Sequence, residues 1–358
     1  MIAGDPAVDG LAHDWTALTD TAPHLVRLRR RTEDLLSGLA AALPAMPVLD
    51  EDDLFRDADT ERPPPAAGLG VVVCGSYGRG EAGPQADLDS YVLYDPRDAA
   101  GRRGDGCALA ARQLAGRVHR AAAIAGIRQP ADGGAFEATQ SADALINTIG
   151  GVEDGNQITT RRLLMLLEGR ALAGAPVFRR GLDGLIATYV QDHHGRDDPA
   201  TFLLNDVIRY YRSICVDFEM KTRGAAAKGW GLRNVKLVFS RKLLYVSGVV
   251  AAGETAGLDV PAKRALLSRL LGRPPIDRLL DIYGPGPLLP ALARYDRFLA
   301  ALDDPVNRAA LDVPPAEARG LPLYRMLKDE AAGFSRDLLT LINSRYPADH
   351  PLQLRLVL

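Results

Sequence analysis

Asp87 and Asp89 are the residues whose type and spacing most directly suggest chemistry. They open a β-branched and aromatic run, Asp89-Ser90-Tyr91-Val92-Leu93-Tyr94, that reads as a strand, and residues two apart on a strand project to the same face. Two carboxylates held side by side repel unless a cation sits between them. Magnesium takes carboxylate oxygens together with substrate phosphates, and two such ions about 3.5–4 Å apart can activate an attacking oxygen and stabilise a leaving one. Upstream, a second strand-like run, Val71-Val72-Val73-Cys74, ends at Gly75-Ser76. Gly75 lets the backbone approach a triphosphate with no Cβ in the way, the Ser76 hydroxyl and adjacent N–H groups can bond phosphate oxygens, and Arg79 adds a cation.

The stretch Val71 to Asp95 therefore joins a strand, a glycine turn and a strand opening on paired carboxylates. This pattern resembles the DNA-polymerase-β-like nucleotidyltransferase superfamily, whose signature is a hydrophobic residue, Gly-Ser, and then Asp-x-Asp on the next strand. The fuller form Gly75-Ser76-Tyr77-Gly78-Arg79-Gly80-Glu81 looks like the branch that contains bacterial uridylyltransferases of the PII nitrogen-signalling protein. The resemblance implies an α+β fold, with a small mixed-sheet catalytic domain followed by an all-helical substrate-binding domain. It also implies transfer of a nucleoside monophosphate from an NTP to an acceptor hydroxyl, with release of pyrophosphate. One or two magnesium ions are implied on Asp87 and Asp89, and a third carboxylate on a later strand. Glu137, after Gly133-Gly134, is the first candidate for that carboxylate, with Asp143, Glu153 and Asp154 behind it. The acceptor is left open between a protein side chain, a small molecule and an RNA end, with the acidic charge balance weighing against RNA. The alternative reading is a catalytically silent nucleotide sensor of the same fold.

A second cluster runs from Arg209 to Lys242: nine bases, Arg209, Arg212, Lys221, Arg223, Lys228, Arg233, Lys236, Arg241 and Lys242, face only Asp217 and Glu219. Lys228, Arg233, Lys236 and Arg241 fall in a loop and the helix it opens, where they could clamp a triphosphate. The branch carries a Gly-Leu-Arg motif in its helical part, here Gly231-Leu232-Arg233. The bland alternative is that a charged helical face is simply solvated. Asp217 or Glu219 could act as the base that deprotonates the acceptor, or could only pair with Lys221.

Two decoys fail. Gly78-x-Gly80-x-x-Gly83 matches the dinucleotide-binding fingerprint, but only Pro84-Gln85-Ala86 separate it from the next strand, far short of the crossover helix that fold needs. His193-His194 lack the i, i+4 spacing of a helical zinc site and read as structural.

These residues need elements to position them. Thr21 to Leu43 has leucines at helical spacing and reads as an amphipathic helix, whereas Leu49 to Gly68, with Pro63-Pro64-Pro65, reads as a loop. Cys107 to Gly126 reads as a helix and Ala135 to Thr139 as a third strand. From Thr159 onward, beginning with TTRRLLMLLEGRALAG, strand signals fade and helical periodicity dominates. The expected organisation is an N-terminal helical region over 1–45, a catalytic domain over 46–157 and a helical substrate-binding domain over 158–358.

Composition sets the limits. At 358 residues, with 47% hydrophobic and 25% charged residues, the chain is of globular type and long enough for two or three domains. A net charge of −2 removes the broad attraction that drives non-specific nucleic-acid binding. Three dispersed cysteines, Cys74, Cys107 and Cys215, fit a reducing compartment, and no stretch reaches the about 20 apolar residues of a membrane span. The first ten residues carry Asp5 and Asp9 and no basic-then-apolar pattern, so a cytoplasmic protein is expected.

Overall fold

The computed structural model describes residues 15–45, 68–95, 106–130, 138–191, 195–222 and 229–356. The chain packs as two units, Arg31–Gln191 and Met1–Arg30 with Asp192–Leu358. The helix α1 (Pro23–Ala42) has its first turns in the second of these and the remainder in the first.

The Arg31–Gln191 unit is built on a four-stranded sheet in the order β3-β2-β1-β4. Strands β1 (Leu69–Val73) and β2 (Ser90–Tyr94) are antiparallel, in register from Leu69 opposite Tyr94 to Val73 opposite Ser90. β3 (Thr139–Ser141) runs parallel to β2, and β4 (Arg170–Ala173) runs antiparallel to β1 with a bulge at Val71/Val72. Consecutive valines suit β1 because both faces of the sheet are covered, so alternation with polar residues is not required. Val71, Val73 and Val92 share a core with Leu36 and Leu39 of α1 and with Ala111, Ala115, Val118 and Ala122 of α3 (Gly106–Ile124). On the other side lie α5 (Asn156–Glu168) and α6 (Ala175–Tyr189); Gly181 of α6 brings the Leu93 and Met165 side chains so close that a Cβ there would meet both at 3.0 Å.

The loop expected between β1 and β2 holds a short helix, α2 (Gly75–Arg79), bounded by two glycines in the left-handed region, Gly75 at φ +62° and Gly80 at φ +74°. No L-residue adopts that backbone cheaply, so the glycines set both ends of the turn. Another short helix, α4 (Ala142–Asn147), is capped by the Ser141 hydroxyl.

Two expectations are corrected. The third strand begins at Thr139, where the sequence placed its last residue, and residues 131–137 lie outside the described residues. The range 158–358, read as helical throughout, contains β4, because Gly169 stops α5 and the next four residues pair with β1. Arg-Ala-Leu-Ala has little intrinsic strand preference, and pairing with a buried neighbour overrides it.

The other unit is helical among its described residues. α7 (Thr201–Lys221) packs on α9 (Lys242–Gly253), which in turn packs on α10 (Val260–Leu271) and α11 (Pro275–Tyr283). α8 (Trp230–Lys236) runs into α9 through a π-helical turn, Leu237–Arg241. α12 (Pro285–Asp303) lies along α15 (Pro322–Arg345), with the short α13 (Pro305–Ala310) and α14 (Pro315–Gly320) between them in sequence and α16 (Pro351–Leu356) after them. Phe239, Tyr295, Phe298 and Phe334 form its aromatic centre, with Phe239 and Phe298 stacked at 4.4 Å between ring centroids. No helix among the described residues is long and apolar enough to cross a membrane.

Candidate active site

The site grows out of the β1–α2–β2 connection. Cys74 N–H donates to the Asp89 carbonyl at 2.8 Å, so the end of β1 and the residue before β2 are tied together by the backbone. Leu88 N–H donates to the Arg128 carbonyl at 2.9 Å, which keeps Asp87 to Asp89 extended just ahead of β2. Leu88 is fully buried in the core, whereas Asp87 is exposed and Asp89 half-buried. Alternation thus turns both carboxylates away from the core, as their spacing predicts.

Gly75 meets this pair directly. A Cβ built on it would fall within 3.0 Å of Asp89 Oδ2, so any larger residue would displace the carboxylate. From Val71 to Ala82 every residue is buried except Ser76. Ser76 is therefore the half-exposed point of an otherwise closed loop, next in sequence to the glycine that lies against Asp89. Tyr77 follows, buried beneath the loop. Burial raises its phenol pKa, the nearby charge of Arg31 opposes that shift, and the Asp87 carboxylate adds to it.

Arg79 has a different setting from the one expected of a phosphate-binding cation. It is 8% exposed, and its Nε donates to Glu81 Oε1 at 2.7 Å while Nη1 donates to Glu168 Oε2 at 2.5 Å. Both carboxylates are nearly inaccessible, at 3% for Glu81 and 2% for Glu168. The remaining Glu168 oxygen accepts the Gly75 N–H at 3.1 Å. This N–H is consequently engaged within the protein and is not a phosphate donor. The network instead clamps the start of α2 to the end of α5, with the Arg79 charge shared between two buried carboxylates.

Gly78 is a second device that the sequence did not single out for this role. A Cβ there would collide with the Glu168 carbonyl and with the Val73 carbonyl, both backbone atoms that cannot rotate away. Thr32 of α1 adds a third tie, its hydroxyl accepting the Ala82 N–H at 2.9 Å. Sequence reasoning missed Glu168 as well. The available signal was a carboxylate closing the apolar run Leu163-Leu164-Met165-Leu166-Leu167, in the last turn of a helix where a negative charge opposes the macrodipole.

Of the other expected residues, Glu137 and Lys228 lie outside the described residues, as do His193 and His194. Among the alternatives to Glu137, Glu153 is exposed, Asp143 sits in the first turn of α4, and Asp154 has structural partners. Burial disfavours the Asp154 charge, but the Gly150 N–H, Arg162 and the Thr159 hydroxyl outweigh it and hold the carboxyl below its usual range. Among the described residues no group of three or more His, Cys, Asp or Glu converges as a metal site. Arg233 is exposed on α8, Lys236 is half-buried at its end, and Arg241 is half-buried at the end of the π turn, all in the helical unit. Trp230 packs between Phe218 and Tyr324 with Arg319 over its ring, and so anchors its loop.

The arrangement fits a divalent cation in its donor set. Two oxygen-bearing side chains, exposed and half-exposed, project beside a glycine cradle and a serine hydroxyl, and the cation nearest in sequence is already neutralised.

No protein-family model matches the chain. It is similar to the bifunctional uridylyltransferase/uridylyl-removing enzymes of two strains of Xanthomonas oryzae pv. oryzae, at 39% identity over 95 residues in each case. That likeness covers 25% of this chain and only 10% of those enzymes. It supports a relationship to nucleotidyl transfer at the level of one segment.

Proposed function

We propose that this protein is a magnesium-dependent nucleotidyltransferase, which moves a nucleoside monophosphate from an NTP to an acceptor hydroxyl on a protein or a small molecule, with pyrophosphate leaving. The observation that carries the reading is the convergence at one loop of Asp89, packed against the Cβ-less Gly75, with Asp87 two residues earlier on the segment leading into β2 and Ser76 as the half-exposed residue of a buried turn. The partial similarity to uridylyltransferases supports the same class.

Asp87 and Asp89 would hold the metal, with Glu137 as the candidate third carboxylate. Magnesium, when bound, supplies Lewis acidity and charge neutralisation at the phosphates. The chain's own contributions are distinct from that. Ser76 offers its hydroxyl to a phosphate oxygen. Gly75, lacking a side chain, lets the Asp89 carboxylate lie directly against the turn. Glu168, through the Gly75 N–H and Arg79, holds the turn rigid, so that positioning costs little when substrate binds. The reading rests on the Arg31–Gln191 unit by itself.

The test is incubation of the purified protein with each α-labelled NTP, magnesium, and candidate acceptor fractions. Transfer of label to an acceptor, lost in Asp87→Ala/Asp89→Ala, is the expected result. Absence both of transfer and of metal-dependent NTP binding would refute the reading, and binding without transfer would favour a nucleotide sensor.

A further inference from the structure

Among the described residues of the helical unit, several cations removed from water have carboxylate or carbonyl partners. Arg294 donates to Glu330 and Asp337, both at 2.9 Å, Arg345 to Glu254 at 2.5 Å, and Arg273 to Asp281. Lys263 is capped by the carbonyls of Gly195 and Asp198. This is the expected rule, since a charge moved out of water must be paired or hydrogen-bonded by strong acceptors.

Lys242 and Lys328 break it. Lys242, the first residue of α9, is half-buried and donates to the Ser335 hydroxyl at 2.6 Å. Lys328, two turns before Ser335 on α15, is half-buried and donates to Asn234 Oδ1 at 3.2 Å, an oxygen that also accepts from Tyr324 at 2.9 Å. Both recorded partners are neutral. Burial lowers the pKa of each ammonium, and at Lys242 the charge of Lys328 adds to that shift while Cys215 opposes it. The nearby Cys215 is no counter-ion, because burial raises its thiol pKa above an already alkaline value, with Lys242 opposing and Glu219 adding to the shift. Beside them Tyr211 and Tyr245 stack with ring centroids 4.7 Å apart, and burial pushes the Tyr211 hydroxyl up to about 12. The phenols too are therefore neutral donors at physiological pH.

The backbone adds an independent sign. The π turn Leu237–Arg241 immediately precedes Lys242. A π turn widens the helix, forfeits regular i to i−4 bonding and recurs at functional sites. Here it changes the helical register between the Asn234 end and the Lys242 end of one continuous helical rod.

We propose that Lys242, Lys328, Ser335 and Asn234 form a binding site for the phosphate group of a small-molecule ligand. A phosphomonoester carries about −1.5 to −2 charges at pH 7 and so matches two ammonium groups, whereas a carboxylate would leave one uncompensated. Ser335 can turn its hydroxyl to donate to the bound anion, and Lys328 can exchange the Asn234 carbonyl for it. This site lies wholly within the helical unit and does not depend on the Asp87–Asp89 reading.

The experiment is a titration of the full-length protein at constant ionic strength, in EDTA, with inorganic phosphate, glycerol phosphate and an NTP, followed by calorimetry and phosphorus NMR line width. Wild type and Asp87→Ala/Asp89→Ala are expected to bind at least one of the three alike, and Lys242→Gln/Lys328→Gln to bind it roughly tenfold or more weakly, the loss expected for charge-assisted hydrogen bonds. Whichever of the three binds tightest identifies the source of the phosphate. The ligand-free Lys242→Gln/Lys328→Gln variant should melt at or above the wild-type temperature, because a repulsion has been removed. Failure of all three to bind the wild type, equal binding by the lysine variant, or a ligand-free variant that melts well below wild type would each overturn the proposal.

Discussion

One arginine of the sheet unit and one lysine pair of the helical unit meet opposite surroundings. In the sheet unit, Arg79 is sealed between Glu81 and Glu168, and through Glu168 it fixes the Gly75 backbone. In the helical unit, Lys242 and Lys328 are half-buried with a hydroxyl and an amide as partners. A fully neutralised cation can position a neighbouring backbone but has no charge left to offer a ligand. An un-neutralised pair keeps its charge available at some cost to the folded protein. The sequence presents both simply as basic residues close to glycines or other bases, and only their surroundings separate architecture from binding.

Four measurements would break or sharpen this contrast, and the largest effect concerns the carboxylates that the Arg79 network serves. Asp87→Asn/Asp89→Asn should reduce nucleotidyl transfer by about 10³-fold or more, since metal-borne charge stabilisation amounts to several kcal/mol. Its thermal midpoint should stay close to wild type, because Asp87 is exposed and Asp89 half-exposed. Glu168→Ala should cost about 3–5 kcal/mol of stability in denaturant melts, by leaving Arg79 half-paired inside the protein and freeing the Gly75 N–H. A loss under 1 kcal/mol would show that the network is not the clamp inferred here.

Gly78→Ala tests the same clamp by shape. With two backbone carbonyls in the path of the new methyl group, a loss of about 1–3 kcal/mol is expected, accompanied by reduced transfer because α2 must shift. The smallest effect is a pH dependence in the helical unit. The lysine pKa values are lowered in the folded state, so between those values and 10.5 the unfolded chain binds more protons and stability rises with pH. The difference in melting temperature between wild type and Lys242→Gln/Lys328→Gln, followed from pH 8 to 10.5, should therefore shift in favour of wild type as pH rises. A flat difference would mean that the two charges do not strain the fold.

Much of the site was legible because its logic is local. Asp-Leu-Asp states its own alternation, with Leu88 inward and the carboxylates outward, and Gly75-Ser76 at the end of a valine strand announces a tight departure. The helices of the C-terminal part were legible for the same reason, since periodicity over a dozen or more residues is a repeated signal. The elements that escaped are those whose partners are remote. β4 is four residues of weak strand preference and exists because β1 offers it a ladder. Glu168 stands 93 residues from the glycine it holds, and nothing in its neighbours names that partner.

The amino-acid sequence by itself determined the short-range facts: two carboxylates on one face, a glycine that must be a glycine, and a predominantly helical second half. The tertiary structure decided which charges are spoken for. Whether a cation is a girder or a ligand site depends on the carboxylates that other segments bring to it and on the water they exclude, and those are properties of packing that no window along the chain contains.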